Sequence, residues 1–272
     1  CSFCYNRTLK RIFSEDLRGG NYVRLRGVES VIGEIEDHIR KFGKPRYVKF
    51  MDDTFIYNRK WVLAFMEQYR TRVGIPFTCL GRADLVDEEV LRAMKQAGVD
   101  CFLWAVETGN GKLRREVLKK TITDEQIMEC GALLNKYRIP FRTYNMMGIP
   151  GETVEDALAT VRINQAIKNR FPLCTIYDPY PDTELAEAAV AQGLLDKPIT
   201  SETFGKIQYV SSLLKVEPRI LRIQMLFFYF VRFPSLQGVL RRWVEKDHPS
   251  INRMLFFLAY GYVFWRTYKH TI

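Results

Sequence analysis

Short apolar runs rich in β-branched and aromatic residues alternate along the chain with longer stretches whose apolar positions recur every three to four residues. The runs at 47–51, 77–80, 101–106, 141–147 and 174–177 predict strands. The stretches at 31–42, 61–73, 88–97, 112–118, 124–137 and 154–168 predict amphipathic helices. Thr123 followed by Gln126 is a capping-box pattern, and Thr153 followed by Asp156 is a weaker one. Asp87 is placed to N-cap the helix that Gly98 stops. Pro45, Pro76 and Pro140 each precede a strand, where a fixed φ and a missing N–H cost little.

Strand–helix alternation at this spacing is what βαβ units need, so the pattern predicts an α/β fold with a parallel sheet and helices outside it. An open doubly wound sheet and a closed barrel both satisfy it. In both, ligands gather at the C-terminal ends of the strands. After about Asp196 the strands stop, and 218–233, 236–246 and 251–269 read as aromatic, basic helices. This divides the chain into a core at 1–195 and a helical extension at 196–272.

With 272 residues, 47% of them hydrophobic, the chain can bury a sizeable core as one large domain or a domain plus an appendage. It opens at Cys1 with neither a charged n-region nor an apolar h-region, so no signal peptide is visible, and the expectation is that part of the protein lies upstream. Of the cysteines at 1, 4, 79, 101, 130 and 174, only the first two are close together. The other four lie in apolar contexts and are expected to act as small buried hydrophobes, which suits a reducing cytoplasm better than a disulfide framework.

The net charge of +10 permits a nucleic acid, an acidic cofactor or a membrane surface as partner, and a solvated basic surface equally well. The uncharged run 254–265 is shorter than the roughly 20 residues a membrane span requires. Arg253, Arg266 and Lys269 around it allow peripheral membrane contact, but a helical cap packed on the barrel is the plainer reading.

The candidate chemistry sits at the strand ends. Cys1 and Cys4 form a CxxC that suits an iron–sulfur cluster, a zinc ion or a redox pair. A zinc ribbon needs a second Cys or His pair, and His38, His248 and His270 are scattered. Asp52-Asp53-Thr54-Phe55 follows the first strand directly, where the carboxylates could receive an ammonium group or cap the next helix. Arg82 ends the second strand and could grip an anion with its fork or simply face solvent. Glu107 ends an otherwise apolar strand, where burial without a partner is costly. Gly148 and Gly151, in Met147-Gly148-Ile149-Pro150-Gly151-Glu152-Thr153, let backbone approach a flat ring closely. Tyr180 lies in the Tyr177–Leu185 string after the last strand and is expected to line the cavity. Asp182 stands there at a turn that a glycine would enter more easily.

Taken in order from Cys1 to about Leu195, these strings resemble the radical S-adenosylmethionine (SAM) superfamily, whose signature is CxxxCxxC followed by an aromatic residue. Cys1 and Cys4 match its second and third cysteines, with Phe3 between them, and the first would lie four residues before Cys1. The resemblance implies a partial (β/α)6 TIM-like barrel with its first strand upstream and a C-terminal helical extension. It implies a [4Fe–4S] cluster held in part by Cys1 and Cys4. Its SAM site would be drawn from Phe3, Asp52, Asp53, Thr54, Glu107, Lys120, Gly148, Ile149 and Pro150, with Arg82 and Tyr180 nearer the substrate.

The strings at 52–55, 150–153 and 179–181 most resemble the cobalamin-binding subgroup. That implies methyl transfer, or a related radical modification, on a small and apolar substrate, with cobalamin held by an upstream domain and electrons from an external donor. A methylthio-transferring relative acting on tRNA or protein is the alternative enzyme. A zinc- or lipid-binding module is the alternative outside catalysis.

Overall fold

The computed structural model describes residues 1–13, 22–195, 199 and 212–268. Five strands, β1 (Val48–Lys49), β2 (Phe77–Gly81), β3 (Val99–Glu107), β4 (Phe141–Met147) and β5 (Leu173–Ile176), pair in parallel and in chain order. The sheet curls into a half-barrel, as the strand–helix alternation and the family resemblance lead one to expect. The helix α2 (Val28–Phe42) precedes β1, and α3 (Arg59–Gln68), α4 (Glu88–Gln96), α5 (Asp124–Lys136) and α6 (Val154–Ala166) connect successive strands.

Alternation along each strand decides which residues meet those helices. Phe77, Cys79, Phe102, Trp104, Val106 and Phe141 enter one core with Ile32, Phe65, Leu91 and Leu134 from the helical layer. The intervening Thr78, Leu80, Leu103, Arg142, Tyr144 and Met146 therefore line the concave face.

Local chemistry starts the helices where the sequence places the starts. Thr123 and Thr153 each make both bonds of a capping box, and the Asp87 side chain accepts from Val90 N–H. Two helices lie outside the expected set. Tyr5–Ile12 (α1) follows the cysteine pair, and Glu184–Ala191 (α7) follows the last strand. Both are a little over two turns long, too short for an apolar repeat to stand out. The expected helix at 112–118 is a single wide turn, Leu113–Val117, and the one at 61–73 ends in a similar turn, Tyr69–Val73.

The expected helix at 218–233 breaks at Leu226 into α8 (Pro218–Met225) and α9 (Phe227–Arg232). Both pack with β5 and α6 through Ile220, Ile223, Phe227 and Phe230. Next come α10 (Gln237–Val244) and α11 (Pro249–Thr267). Of the stretch around the expected boundary, 196–198 and 200–211 lie outside the described residues, as does the predicted helix end at Lys269. No helix among the described residues is long and apolar enough to cross a membrane.

One close approach fixes the end of β3 against α6. A Cβ on Gly109 would stand 2.3 Å from the backbone oxygen of Ala159, while Gly109 N–H donates to Thr160 Oγ1 at 2.8 Å. Gly109→Ala is expected to lower the unfolding free energy by about 2–3 kcal/mol or more, because backbone must shift to admit the methyl. Urea titration at constant m-value reads this. An unchanged midpoint would show that the two segments separate freely.

Candidate active site at the C-terminal ends of the strands

The loop from Cys1 to Cys4 is sewn to three neighbouring segments. Ser2 N–H donates to Leu118 O at 3.0 Å, and Ser2 Oγ to Val117 O at 2.6 Å. Leu185 N–H returns a bond to Ser2 O at 3.0 Å, and Thr8 Oγ1 donates to Asp182 O at 2.8 Å. Asn6 Nδ2 donates to Asp53 Oδ2 at 2.6 Å, which draws the loop after β1 to the same place. Arg7 and Lys119 both pair with Glu184. Phe3 packs on a buried cluster containing Leu118, Met146, Ile149, Tyr177 and Leu185. The cysteine loop, Asp53, the 117–120 segment, Ile149 and the 182–185 segment thus meet at one end of the sheet.

Glu107 enters this site from a strained backbone. The register between β3 and β4 shifts between Ala105 and Glu107, and Glu107 takes a φ of 68°. A non-glycine residue in the left-handed region costs of order 1–2 kcal/mol, and such strain collects where side-chain aim matters. The shift turns the Glu107 carboxylate to Lys120, whose ammonium donates to Glu107 Oε1 and to Ala105 O, both at 3.0 Å. Both side chains are about nine-tenths buried, so the pair satisfies two charges that would otherwise be expensive. An ammonium has three donors, and two are used here. Lys119, next in the chain, also has a positive φ of 51°.

Gly148 and Gly151 take φ values of 77° and 81°, conformations that suit glycine. The loop folds back so that Glu152 Oε2 accepts from the N–H groups of Gly148 and Ile149, while Oε1 is buried without a partner. Burial pushes the Glu152 carboxyl up to about 8, against the opposing pull of the two N–H groups.

The fold therefore holds a proton on Glu152 that the unfolded chain, near 4.5, has lost. This stability is fully present below the unfolded pKa, falls as pH rises from about 4.5, and is gone above about 8. In Glu152→Gln this dependence should vanish, so the variant gains on the wild type across that window, at up to ~1.4 kcal/mol per pH unit. Denaturation midpoints at pH 5 and pH 8.5 measure it, and parallel shifts in both proteins would show that Glu152 is ionised in the fold.

Other sequence candidates are placed as follows. Asp52 and Asp53 are exposed, and Thr54 begins the turn that receives Tyr57 N–H. Arg82 spends its fork on Asp84, with Nε–Oδ1 at 3.0 Å and Nη2–Oδ2 at 2.8 Å, which holds the Asp84 carboxyl down against burial. Pro150 is buried and Ile149 is 2% exposed. Tyr180 is exposed, and Asp182 takes the left-handed φ of 57° that a glycine would adopt more readily. Cys1 is exposed and Cys4 half-buried, whereas Cys79, Cys101, Cys130 and Cys174 are buried. Burial pushes the thiols of Cys79, Cys130 and Cys174 up, away from the thiolate a metal needs.

Among the described residues no group of three or more His, Cys, Asp or Glu could hold a metal ion. Cys1 and Cys4 offer two sulfur ligands at the rim of the site, a donor pair of the kind that suits an iron–sulfur cluster.

Residues without a sequence signal also build the site. Arg114 is 1% exposed, donates to Thr108 O and Ile122 O at 2.8 Å, and pairs with Asp124, which locks the turn between Glu107 and Lys120. A cavity of about 440 Å³ lies at the opposite end of the sheet among Asp100, Arg138, Lys168, Arg170 and Arg266, far from these motifs.

A family model described as the radical SAM superfamily matches residues 1–163. An uncharacterized methyltransferase of Pyrococcus horikoshii is 28% identical over 72% of the chain and 40% of its own length. The cobalamin-dependent SAM radical enzyme OxsB superposes with a TM-score of 0.60 at 14% identity, covering 90% of this chain and 42% of that one. The radical SAM methyltransferase TsrM of Kitasatospora setae, solved with cobalamin and a [4Fe–4S] cluster, superposes at 0.54 with 16% identity over 61% and 32%. The chain thus spans about two-fifths of the length of the curated relative it matches.

Proposed function

The chain belongs to the radical SAM superfamily, and from that membership we propose that it forms the catalytic barrel of an enzyme that uses SAM for radical methyl transfer to a small molecule. The observation that carries this reading is the joining of the Cys1–Cys4 loop to Ile149 and the segment bearing Lys120, and of Asn6, just after it, to Asp53.

A [4Fe–4S] cluster, when bound, supplies the electron that cleaves SAM into methionine and a 5′-deoxyadenosyl radical, and Cys1 and Cys4 would be two of its ligands. The chain's own residues select and hold the substrate of that step. SAM ends in a zwitterion, and Lys120 and Glu107 form a buried pair of opposite charges at the strand ends. Lys120 keeps one donor for the SAM carboxylate, and Glu107 or Asp53 receives the ammonium. Gly148, Ile149 and Pro150 give a flat, apolar edge for the adenine, with Phe3 and Thr54 beside it. The apolar packing of Met146, Ile149 and Leu185 excludes water from the reacting end.

Cobalamin dependence is the finer proposal. It is supported by the strings at 52–55 and 179–185, and by the likeness in fold to cobalamin-dependent enzymes. Cobalamin would be held by a part of the protein outside this chain, and electrons would come from an external donor. The test uses full-length protein with SAM labelled in its methyl group. Cobalamin bound at about one per chain, with the label passing through it to product, supports the reading. A protein that cleaves SAM and binds no cobalamin rejects methyl transfer by this route and leaves SAM cleavage standing.

A further inference from the structure

The concave face of the sheet carries a charge that no carboxylate among the described residues neutralises. Arg142, the second residue of β4, is 2% exposed. Its Nη2 donates to Tyr144 Oη at 2.9 Å, while Nε and Nη1 are buried without hydrogen-bond partners. Aromatic rings surround it instead. The guanidinium carbon is 4.6 Å from the ring centres of Tyr144 and Phe264 and 5.6 Å from that of Tyr268.

Aromatic faces attract a cation, but they do not satisfy N–H donors, and a buried charge without a counter-ion opposes folding. Two further polar groups share this face. Lys49, on β1, stands 4.6 Å over the Tyr268 ring, and the Thr78 hydroxyl, wholly buried on β2, also has no partner. A structural arginine would be expected to have a carboxylate or carbonyl beside it, as Arg114 does.

We propose that this floor of the half-barrel is an anion seat. Arg142, with Lys49 and the Thr78 hydroxyl, receives a carboxylate or phosphate at one end of the substrate. Phe264 and Tyr268, at the end of α11, cover the guanidinium and turn aside as the anion takes up the free N–H groups. Calling that anion part of the substrate rests on the barrel being the reaction chamber, as proposed above; anion binding itself does not.

The seat also constrains substrate shape. From Arg142 to Met146, at the height of the SAM motifs, β4 rises four residues, or about 13 Å. The substrate should therefore be elongated, with its anionic group about that far from the reacting atom.

Thermal melting of the purified protein tests this without cluster or SAM, so failure here rejects the seat and leaves the proposed SAM chemistry standing. Inorganic phosphate, pyrophosphate and succinate are titrated against potassium chloride at matched ionic strength. At least one probe should raise the wild-type melting temperature saturably, beyond chloride, and the responding probe separates phosphate from carboxylate. In Arg142→Met the saturable shift should be lost, and in Lys49→Met it should need more probe. Without any probe, Arg142→Met should melt no lower than wild type, because an unneutralised buried charge has been removed. No probe exceeding chloride in the wild type, or an undiminished shift in Arg142→Met, overturns the proposal. So does a clearly lower melting temperature of Arg142→Met without probe, which would make Arg142 a packing residue for α11.

Discussion

Cys4→Ala is expected to abolish 5′-deoxyadenosine formation by the full-length protein and to strip most of its iron after anaerobic reconstitution. Each thiolate closes one corner of the cluster, and losing one leaves an iron undercoordinated. Cys4 is fixed by its surroundings, since Ser2 is bonded to the 117–118 carbonyls and α1 starts at the next residue. The fold should therefore survive the change, with far-ultraviolet dichroism and melting of the metal-free protein close to wild type. The four core cysteines supply the control. Cys130→Ala, on the helical side of the sheet, should keep iron and activity while losing some stability. Iron retained in Cys4→Ala would remove the CxxC from the cluster.

Lys120→Met is expected to have the largest effect on stability. Glu107 would be left about nine-tenths buried, on a strained backbone, with its only ion-pair partner among the described residues gone. Removing one member of a buried ion pair costs about 3–5 kcal/mol, whereas replacing both by apolar or neutral groups of similar size is often tolerated. The double change Glu107→Gln with Lys120→Met should therefore recover much of the loss, and urea denaturation of the four proteins gives the coupling directly. SAM binding should fall in both variants, which separates the pair's role in the site from its role in the fold. If the two single changes add without coupling, the pair is not a unit.

Much of this arrangement is legible in the sequence, for physical reasons. Strands at 77–80, 101–106 and 141–147 announce themselves because one face is buried against helices, and the capping boxes at Thr123 and Thr153 are local events. The short helices at 5–12 and 184–191 do not, because two turns carry too few apolar positions to show a period. The break at Leu226 is likewise set by packing of α8 and α9 on β5 and α6.

Within the candidate site, each motif is readable as a string at a strand end. Their mutual contacts are not. That Ser2 joins Val117, or that Asn6 reaches Asp53, depends on residues 115 and 47 positions apart in the chain. The pairing of Arg82 with Asp84 matches neither expectation, the anion grip nor the solvent-facing arginine, since an arginine fork serves a neighbouring side chain as well as a ligand. Arg142 is the most instructive miss. It sits in a strand of otherwise ordinary appearance, and only alternation and burial reveal that it faces the concave side without a counter-ion.

The Cys1–Cys4 loop is proposed to belong to an iron–sulfur site that engages SAM. The most direct measurement is electron paramagnetic resonance of the full-length protein, reconstituted anaerobically, reduced, and examined with and without SAM, alongside metal analysis. Such a site should give about four irons per chain and a reduced-cluster signal whose shape changes when SAM is added. Zinc without iron, or a cluster signal indifferent to SAM, would contradict it.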